Sequence, residues 1–438
     1  MPRLTRRGFL AAGAAGAALP VGAAAWARRG GETRLLHRAH ATPSTDGVTR
    51  LQFWGGWTGP DGAAMQGLVR RFNAQSRDVQ VTLTLYNWDL IFDRWRSEFD
   101  GGTPPDLVGI HATEVAEYAA RGMLYDITDA AGRYGLRASD FYPPPWRLCR
   151  VGAGLYAVPL DIHPLGLYIN ARQARQVGLD PRRPPRTASE LLFWATRLTR
   201  PRAGTWGYAA PAGDVECFRQ WYSLLYQLGG QFMDSAGARC LVDGAAGAAA
   251  YAYLSDLVVR RRVAMPREGA VDDDFIAGRV AMYLQGPWYI EGARQAGLEL
   301  VTAPAPRVGP RRRVWANSHA LGVVNTLDPA RVDAAMRFIS WVNAHALDWA
   351  QAGQVPAHNN ARARLDATPI GPSLRPFVAA LPSIVYQPNL IVHTQLFSER
   401  TSTPVISATR AVMLDQETPA AAVRVMSAQV DALVSAPS

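Results

Sequence analysis

The chain has 438 residues, of which 48% are hydrophobic and 19% are charged. This is longer than one hydrophobic core usually supports, and the apolar content is ample for packing, so two globular domains are predicted. The formal net charge is +10, but acidic residues are interleaved with the arginines. That distribution is unlike a basic stripe and excludes nucleic acid as the expected partner.

The first 27 residues predict an export signal. Arginines precede an uncharged stretch over 8–27, which closes on the small-x-small pattern Ala25-Trp26-Ala27. Residues 5–10 resemble a twin-arginine signal, which implies folding before export. A transmembrane anchor is the alternative, but Pro20 and the many Ala and Gly residues make its insertion only weakly favourable. Residues 28–47 are polar and irregular and predict a flexible tether.

No cysteine lies near the end of the signal, so no lipobox cysteine with a lipid anchor is expected. We expect the protein in the periplasm or cell envelope, membrane-associated if the signal is uncleaved. In an oxidising compartment Cys217 and Cys240 could form a disulfide that leaves Cys149 over, or all three could be buried thiols. Spacing alone does not decide between these alternatives.

The first half of the fold alternates strands with helices. A strand over 48–54 is followed by a glycine-rich loop at 55–60 and a helix over 61–73. A strand over 79–85, a helix over 88–99 and a strand over 107–110 come next. This order predicts a mainly parallel sheet covered on both faces. Ligands of such sheets bind at the carboxyl ends of the strands, so the loops at 55–60 and 111–114 are candidate ligand contacts.

The second half repeats the pattern. Thr187-Ala188-Ser189-Glu190 is a capping box that predicts the start of a helix. The other predicted strands cover 155–160, 165–169, 280–284, 300–303 and 321–324, and the other helices cover 218–228, 245–259 and 332–342.

Eight short segments, each weak alone, occur in an order that carries a family resemblance: residues 53–57, 103–107, 157–164, 168–170, 222–230, 275–282, 286–288 and 352–356. The set resembles the extracellular solute-binding proteins of carbohydrate ABC importers, the family that includes maltose-binding protein. The resemblance spans roughly residues 48–360.

This resemblance implies an α/β, two-lobe periplasmic-binding-protein-like fold of type II, with discontinuous lobes joined by a hinge. We place lobe one at 48–158 plus 308–357, and lobe two at 159–307 plus 358–438. It also implies an ABC-transporter substrate-binding protein, without enzymatic activity or cofactor, that is a monomer. Such a protein captures a carbohydrate, an oligosaccharide or an amino sugar, and delivers it to the membrane permease subunits.

Sugar pockets combine aromatic plates with fixed hydrogen-bonding groups. Trp288 matches the family's pocket tryptophan and follows a Gly-Pro turn, while Trp57 follows Gly56, which allows close backbone approach. The alternative for each tryptophan is that it caps the core. Asp161 and His163 lie where the chain is expected to cross between lobes, and they predict ligand contacts, with a hinge salt bridge as the alternative for Asp161.

Five further residues are candidate ligand contacts. Ser318 and His319 precede a strand where the family often places small polar residues. His111 and Glu114 follow the third strand, although Glu114 could instead serve the first turn of a helix. Tyr208 could add stacking to the pocket.

Three alternative functions remain open. A secreted glycan-processing enzyme would need a carboxylate pair, for which only Asp161 with Glu114 or Asp214 is available. A carrier of a phosphorylated polyol would use an arginine. A metal or siderophore carrier would need clustered Tyr, His and carboxylate ligands, which the spacing does not show, so no metal site is expected.

Overall fold

A computed structural model of the protein describes residues 47–210, 215–265, 271–325, 328–398 and 403–436. The predicted signal at 1–27, the tether up to residue 46, and Asp214 lie outside the described residues. Among the described residues every helix is too short or too polar to cross a bilayer.

The described strands form four sheets. Their bounds are β1 (Thr49–Gly55), β2 (Val79–Leu85), β3 (Leu107–His111), β4 (Arg150–Val151), β5 (Gly154–Leu155), β6 (Ala157–Pro159), β7 (Asp161–Pro164), β8 (Gly166–Asn170), β9 (Tyr208–Ala209), β10 (Ala264–Met265), β11 (Met282–Gln285), β12 (Leu300–Pro304), β13 (Val314–Asn317), β14 (His319–Val323), β15 (Val355–Pro356) and β16 (Ile384–Val385).

The described α-helices cover the two larger sheets and form the C-terminal region. Their bounds are α1 (Pro60–Gln75), α2 (Trp88–Gly101), α3 (Val115–Ala120), α4 (Thr128–Arg133), α5 (Pro143–Leu148), α6 (Ala171–Gln176), α7 (Ala188–Leu198), α8 (Val215–Gln227), α9 (Ala245–Ser255), α10 (Val271–Ile276), α11 (Ile290–Gln295), α12 (Pro329–Ala344), α13 (Ala346–Trp349), α14 (Asn359–Ala363), α15 (Gly371–Ala380), α16 (His393–Phe397), α17 (Pro404–Met413) and α18 (Pro419–Ser435).

The first sheet has the strand order β2-β1-β3-β14-β6. β1 is parallel to β2 and β3, whereas β14 is antiparallel to both β3 and β6. Four of the five strands, β2, β1, β3 and β6, therefore run in the same direction, and β14 runs opposite to them. The sheet is mainly parallel, as expected, with one antiparallel strand that enters it directly from β13 without a helical crossover. Its core includes Phe53, whose ring packs edge-to-face on Phe338 of α12.

The second sheet has the order β10-β9-β11-β8-β12. β9, β10 and β11 are parallel, and β8 is antiparallel to both β11 and β12. Its buried core includes Leu167, Ile169 and Met282, whose side chains pack among those of α8 and α9. The α/β content and the two large sheets give the two-lobe fold that the resemblance implies. Sheet membership assigns each strand to a lobe, but it does not assign the segments that connect the strands. The predicted lobe boundaries therefore stay a prediction.

A small sheet with the order β15-β7-β13-β16 lies where the chain passes between the two larger sheets. β7 follows β6 of the first sheet and leads into β8 of the second. β13 leads back from β12 into β14, and it pairs antiparallel with β7. The two crossing strands therefore lie side by side, and residues from distant parts of the chain meet there.

The three cysteines are thiols in the structure. Cys149, Cys217 and Cys240 are all buried, and burial raises the pKa of Cys149 and of Cys240. Of the two alternatives that the sequence left open, the structure shows buried thiols.

Candidate functional site

Two adjoining cavities are lined by residues of both large sheets and of the crossing strands. One has a volume of about 230 Å³ and the other about 500 Å³. They share four lining residues, Trp88, His111, Val215 and Arg219. We call the two cavities together the cleft. The loops at the carboxyl ends of β1 and β3 both contribute to its lining, as expected of ligand sites in open α/β sheets.

Asp161 lies at the centre of a group of residues that we call the floor of the cleft: Asp161, His163, His319, His111 and Glu114. Its side chain is fully buried, and Oδ1 accepts a hydrogen bond from the backbone N–H of His319 at 2.8 Å. Oδ2 accepts the indole N–H of Trp349, also at 2.8 Å. The same carboxylate lies 3.1 Å from Nδ1 of His163 and 2.8 Å from Nδ1 of His319. Because an ionised carboxylate only accepts, both histidines donate from Nδ1.

Strand register brings the histidines of this floor together. His319 begins β14 and is directly opposite His111, the last residue of β3. On the crossing strands His163 is opposite Asn317. Nδ1 of His111 lies 3.0 Å from Oε1 of Glu114, whose other oxygen accepts the backbone N–H of His111. His111 and Glu114 form a capping box at the start of a short 3-10 helix. Glu114 therefore both lines the cleft and serves the first turn of a helix, which was the alternative role expected for it.

The pKa values of Asp161, His163 and Asp61 are shifted from their usual ranges. Burial opposes the ionisation of Asp161, but the neighbouring His319 and the hydrogen bonds from both histidines outweigh it and hold the pKa of Asp161 well below its usual range. Burial, aided by the charge of His319, lowers the pKa of His163 to about 3. Burial raises the pKa of Asp61, which also lines the larger cavity. The floor at neutral pH thus pairs an ionised Asp161 with a neutral His163.

Acid should destabilise the protein through two buried histidines. Burial lowers the pKa of His163 to about 3 and that of His393 to about 4, whereas an unfolded histidine titrates near pH ~6.5. Below that pH the unfolded chain binds protons that the native chain does not, so stability present above pH ~6.5 is lost as the pH falls. Each histidine should cost up to about 1.4 kcal/mol per pH unit.

Urea unfolding at pH values between about 7 and 5, above the range in which most carboxylates titrate, measures this loss. His393→Gln should make the decline shallower, because it removes one of the two histidines. A free energy of unfolding that stays constant over this range would contradict the assignment.

Aromatic side chains surround the histidines. Trp88 stacks on His319, with ring centroids 5.3 Å apart and planes 11° from parallel, and lies 4.4 Å from the ring of His111. Trp288 contacts His163 edge-to-face at 5.3 Å. Trp88 and Trp288 are both partly exposed, so each offers a ring to a molecule in the cleft.

The guanidinium group of Arg219 lies beside Trp288. The guanidinium carbon of Arg219 is 5.4 Å from the ring of Trp288 and 4.5 Å from that of Trp315. Arg219 also forms an ion pair with Glu216 on the same helix, α8. Trp315 is almost fully buried and lines the smaller cavity. Its buried indole N–H has no hydrogen-bond partner among the described residues.

Gly56 leaves room for the ring of Trp88. A Cβ at this position would lie 2.0 Å from the Trp88 ring, which is far inside contact distance. Gly56→Ala should therefore displace Trp88, change the near-ultraviolet circular dichroism and cost about 1–3 kcal/mol of stability. The control is Gly67→Ala on α1, where the nearest atom is 3.9 Å away and alanine should stabilise the helix by about 0.5–1 kcal/mol. Equal effects of the two variants would contradict this role of Gly56.

The structure brings nine of the ten candidate residues to the cleft or directly beneath it. Five line the cavities: Trp288, His163, His319, His111 and Glu114. Four lie buried beneath them: Asp161, Trp57, Gly56 and Ser318.

Three of the buried residues are placed differently from the expectation of direct ligand contact. Asp161 is enclosed by its hydrogen-bond partners, and Trp57 is fully buried, with its ring edge-to-face to Trp88, His319 and Trp349. Trp57 therefore packs in the core beneath the floor, which was the alternative expected for this tryptophan. The hydroxyl of Ser318 is likewise occupied, at 2.9 Å from the hydroxyl of Tyr386.

Tyr208 is not part of the cleft. It is buried on β9 in the second sheet and donates its hydroxyl hydrogen to Gln220 at 2.8 Å. It lines a separate cavity of about 20 Å³. The structure therefore places Tyr208 in the core of the second sheet, apart from the other candidate residues.

Several cleft residues were not predicted from the sequence. Trp88 fits the apolar spacing of its amphipathic helix, and Arg219 falls within the apolar pattern of α8, so neither carried a separate signal. His393 is buried and lines the smaller cavity, in the region 386–397 from which no single residue could be chosen.

From the sequence, no cluster of metal ligands was expected, but the structure contains a group of three histidines. Ring nitrogens of His111, His163 and His319 all lie within 4.8 Å of one another. The three residues belong to three different strands, so short-range spacing could not reveal them.

The fold is similar to that of solved solute-binding proteins. An ABC transporter solute-binding protein from Thermotoga lettingae, solved with α-D-tagatose bound, superposes with a TM-score of 0.78 at 18% identity over 88% of this chain and 100% of that one. At this identity the match shows the fold, a two-lobe type II binding-protein fold.

Two curated relatives match part of the chain. An uncharacterized lipoprotein encoded in the oleD 5' region of Streptomyces antibioticus is 31% identical over 183 residues, which is 40% of each chain. The sn-glycerol-3-phosphate-binding periplasmic protein of Escherichia coli K12 is 26% identical over 157 residues, 34% of this chain and 36% of that protein. The chain thus spans well under half the length of the curated relatives it matches.

A family model described as bacterial extracellular solute-binding protein matches residues 67–366, which is more than half of the chain. The type II binding-protein fold, the cleft and this family match all point to a solute-binding protein. The chain belongs to the bacterial extracellular solute-binding protein family.

Proposed function

We propose that this protein is the substrate-binding component of an ABC importer and that it captures a carbohydrate in the cleft. The observation that carries the proposal is the pair of partly exposed tryptophans, Trp88 and Trp288, which flank the three histidines. Sugar rings have apolar C–H faces that pack on aromatic plates, and hydroxyl groups that bond to fixed donors and acceptors. The cleft supplies both kinds of contact.

The charge of the cleft favours a neutral or amino sugar over a phosphorylated one. Among the described residues, five carboxylates line the two cavities but only two guanidinium groups do. The carboxylates are Asp61, Asp93, Glu114, Glu216 and Asp272. This excess of acidic groups repels a phosphate and attracts the ammonium group of an amino sugar.

A phosphorylated polyol is the second candidate, because Arg219 lines both cavities and part of the chain is similar to sn-glycerol-3-phosphate-binding proteins. Arg219 already pairs with Glu216, and the other arginine of the lining, Arg96, pairs with Asp93 and lies 3.8 Å from the carboxylate of Glu117. A phosphate would have to compete with these carboxylates, so the carbohydrate is preferred.

The proposal includes capture without chemistry. The carboxylates named for a glycan-processing enzyme, Asp161 and Glu114, are both engaged by histidines and backbone N–H groups. Neither is arranged as a proton donor facing a glycosidic bond, which such hydrolysis needs. In this proposal the protein is exported by its twin-arginine-type signal and passes the carbohydrate to membrane permease subunits as a monomer.

A ligand panel tests the proposal. Thermal unfolding of the purified protein is followed with maltotriose, mannotriose, glucosamine and sn-glycerol-3-phosphate, and the mixtures are analysed for products. A saccharide at about 100 times its dissociation constant should stabilise the protein by about 2.7 kcal/mol with no product formed. Stabilisation by sn-glycerol-3-phosphate alone would favour the second candidate, and repeated turnover of a saccharide would contradict capture without chemistry.

A further inference from the structure

The three histidines of the cleft floor carry an inference that goes beyond carbohydrate binding. His111, His163 and His319 have ring nitrogens within 4.8 Å of one another. They come from the end of β3, from β7 and from the start of β14. β14 pairs with β3, and β7 pairs with β13, the strand that leads into β14, so regular strands rather than long loops position the cluster. A cluster on regular strands is more rigidly positioned than one on loops.

Each of the three rings is oriented by a carboxylate. Nδ1 of His163 lies 3.1 Å from Asp161, Nδ1 of His319 lies 2.8 Å from the other oxygen of Asp161, and Nδ1 of His111 lies 3.0 Å from Glu114. A carboxylate that accepts from Nδ1 fixes the tautomer with a lone pair on Nε2. Histidines that bind metals are held in this way by a carboxylate or carbonyl on the opposite nitrogen.

We propose that His111, His163 and His319 form a binding site for a divalent transition-metal ion of the zinc class, with one coordination position open to the cleft. Imidazole nitrogens suit zinc and its neighbours, whereas magnesium and calcium take oxygen ligands. Three histidines with an open fourth position are a known zinc arrangement. All three residues line the larger cavity, so the fourth ligand is a water molecule or a hydroxyl group of a molecule bound there.

Binding needs an adjustment of the three rings. Zinc–nitrogen bonds of about 2.0–2.1 Å in a tetrahedral site place the nitrogens about 3.3 Å apart. Ring nitrogens of the three histidines lie within 4.8 Å of one another, and rotation of the side chains has to bring the Nε2 atoms to the shorter separation.

Zinc binding to the full chain, produced without a polyhistidine tag, tests the site. The protein is stripped with a chelator, titrated with Zn²⁺ by calorimetry and analysed for metal content, and the Co²⁺ form is examined for the visible absorption of a four-coordinate ion. We expect one ion per chain. His111→Ala should weaken binding more than about 100-fold, since even an orienting partner is worth about 10–100-fold. The matched control, His358→Ala, alters a histidine that packs on Phe141 outside the cluster and should leave affinity within about threefold.

Glu114→Gln provides a second variant that keeps all three ligands. It should weaken zinc binding about 10–100-fold, and circular dichroism confirms that each variant is folded. Absence of stoichiometric zinc from the native protein, or equal affinity of native protein and His111→Ala, would overturn the site. No saccharide is present in these titrations, so their result is independent of the proposed carbohydrate function.

Discussion

Asp161→Asn should lower the free energy of unfolding by about 3–5 kcal/mol, the range observed when one partner of a buried charged network is removed. The side chain is fully buried and accepts hydrogen bonds from two histidine rings, an indole and a backbone N–H. An amide of the same size can accept at only one atom, so buried donors would lose their partner or face another donor.

Urea unfolding of the native protein and the variant measures this difference. Asp366→Asn is the matched control, because Asp366 forms an ion pair with Arg375 in which both side chains are more than 60% exposed. Exposed pairs contribute little, so the control should stay within about 0.5 kcal/mol of the native protein. If Asp161→Asn cost no more than the control, Asp161 would not be the organising group of the cleft floor.

Trp288→Ala should weaken carbohydrate binding by about 30-fold or more, equivalent to about 2 kcal/mol, because removing a central aromatic anchor of a binding site costs at least this much. The ring lines the larger cavity, lies against His163 and is partly exposed. Gly286 gives it room, since a Cβ there would lie 1.7 Å from the indole. Calorimetric titration with the saccharide that gives the largest stabilisation in the panel measures the loss.

The control for Trp288 is Trp341→Ala. Trp341 is also partly exposed, but it lies on α12, where its indole N–H donates to Gln75, away from the cleft. This variant should lose some stability and keep its affinity within about threefold. Unchanged affinity in Trp288→Ala, with both variants folded, would show that the ligand does not rest on this ring.

The sequence predicts local elements well where a local signal is strong. The capping box at Thr187 predicts the start of α7, and in the structure α7 begins at Ala188 with both reciprocal hydrogen bonds present. The alternation over 79–85 likewise matches β2. These signals succeed because periodicity and capping depend on residues within a few positions of one another.

The crossing strands were not predicted because they depend on distant partners. The expected strand over 155–160 is two short strands in the structure, β5 and β6, which pair with different neighbours, and the crossing strand β7 follows them at Asp161–Pro164. β13, β15 and β16 have only two to four residues each, too few for a periodic pattern. Their existence follows from tertiary pairing at the point where the chain passes between sheets.

The site was predicted in position but not in its internal roles. Asp161 and His163 were expected at a crossing point, and they lie on β7, which joins the two sheets. That Asp161 is enclosed depends on Trp349 and His319, which are distant in sequence. The same long-range pairing assembles the three histidines, whereas sequence patterns reach only neighbouring residues.

A crystal structure of the protein with the preferred saccharide of the panel tests the central claim most directly. We predict that the sugar lies in the cleft, with its C–H faces against Trp88 and Trp288 and its hydroxyl groups within hydrogen-bond distance of polar side chains of the cleft lining. A saccharide bound elsewhere on the molecule, with both tryptophans free of contact, would contradict the account.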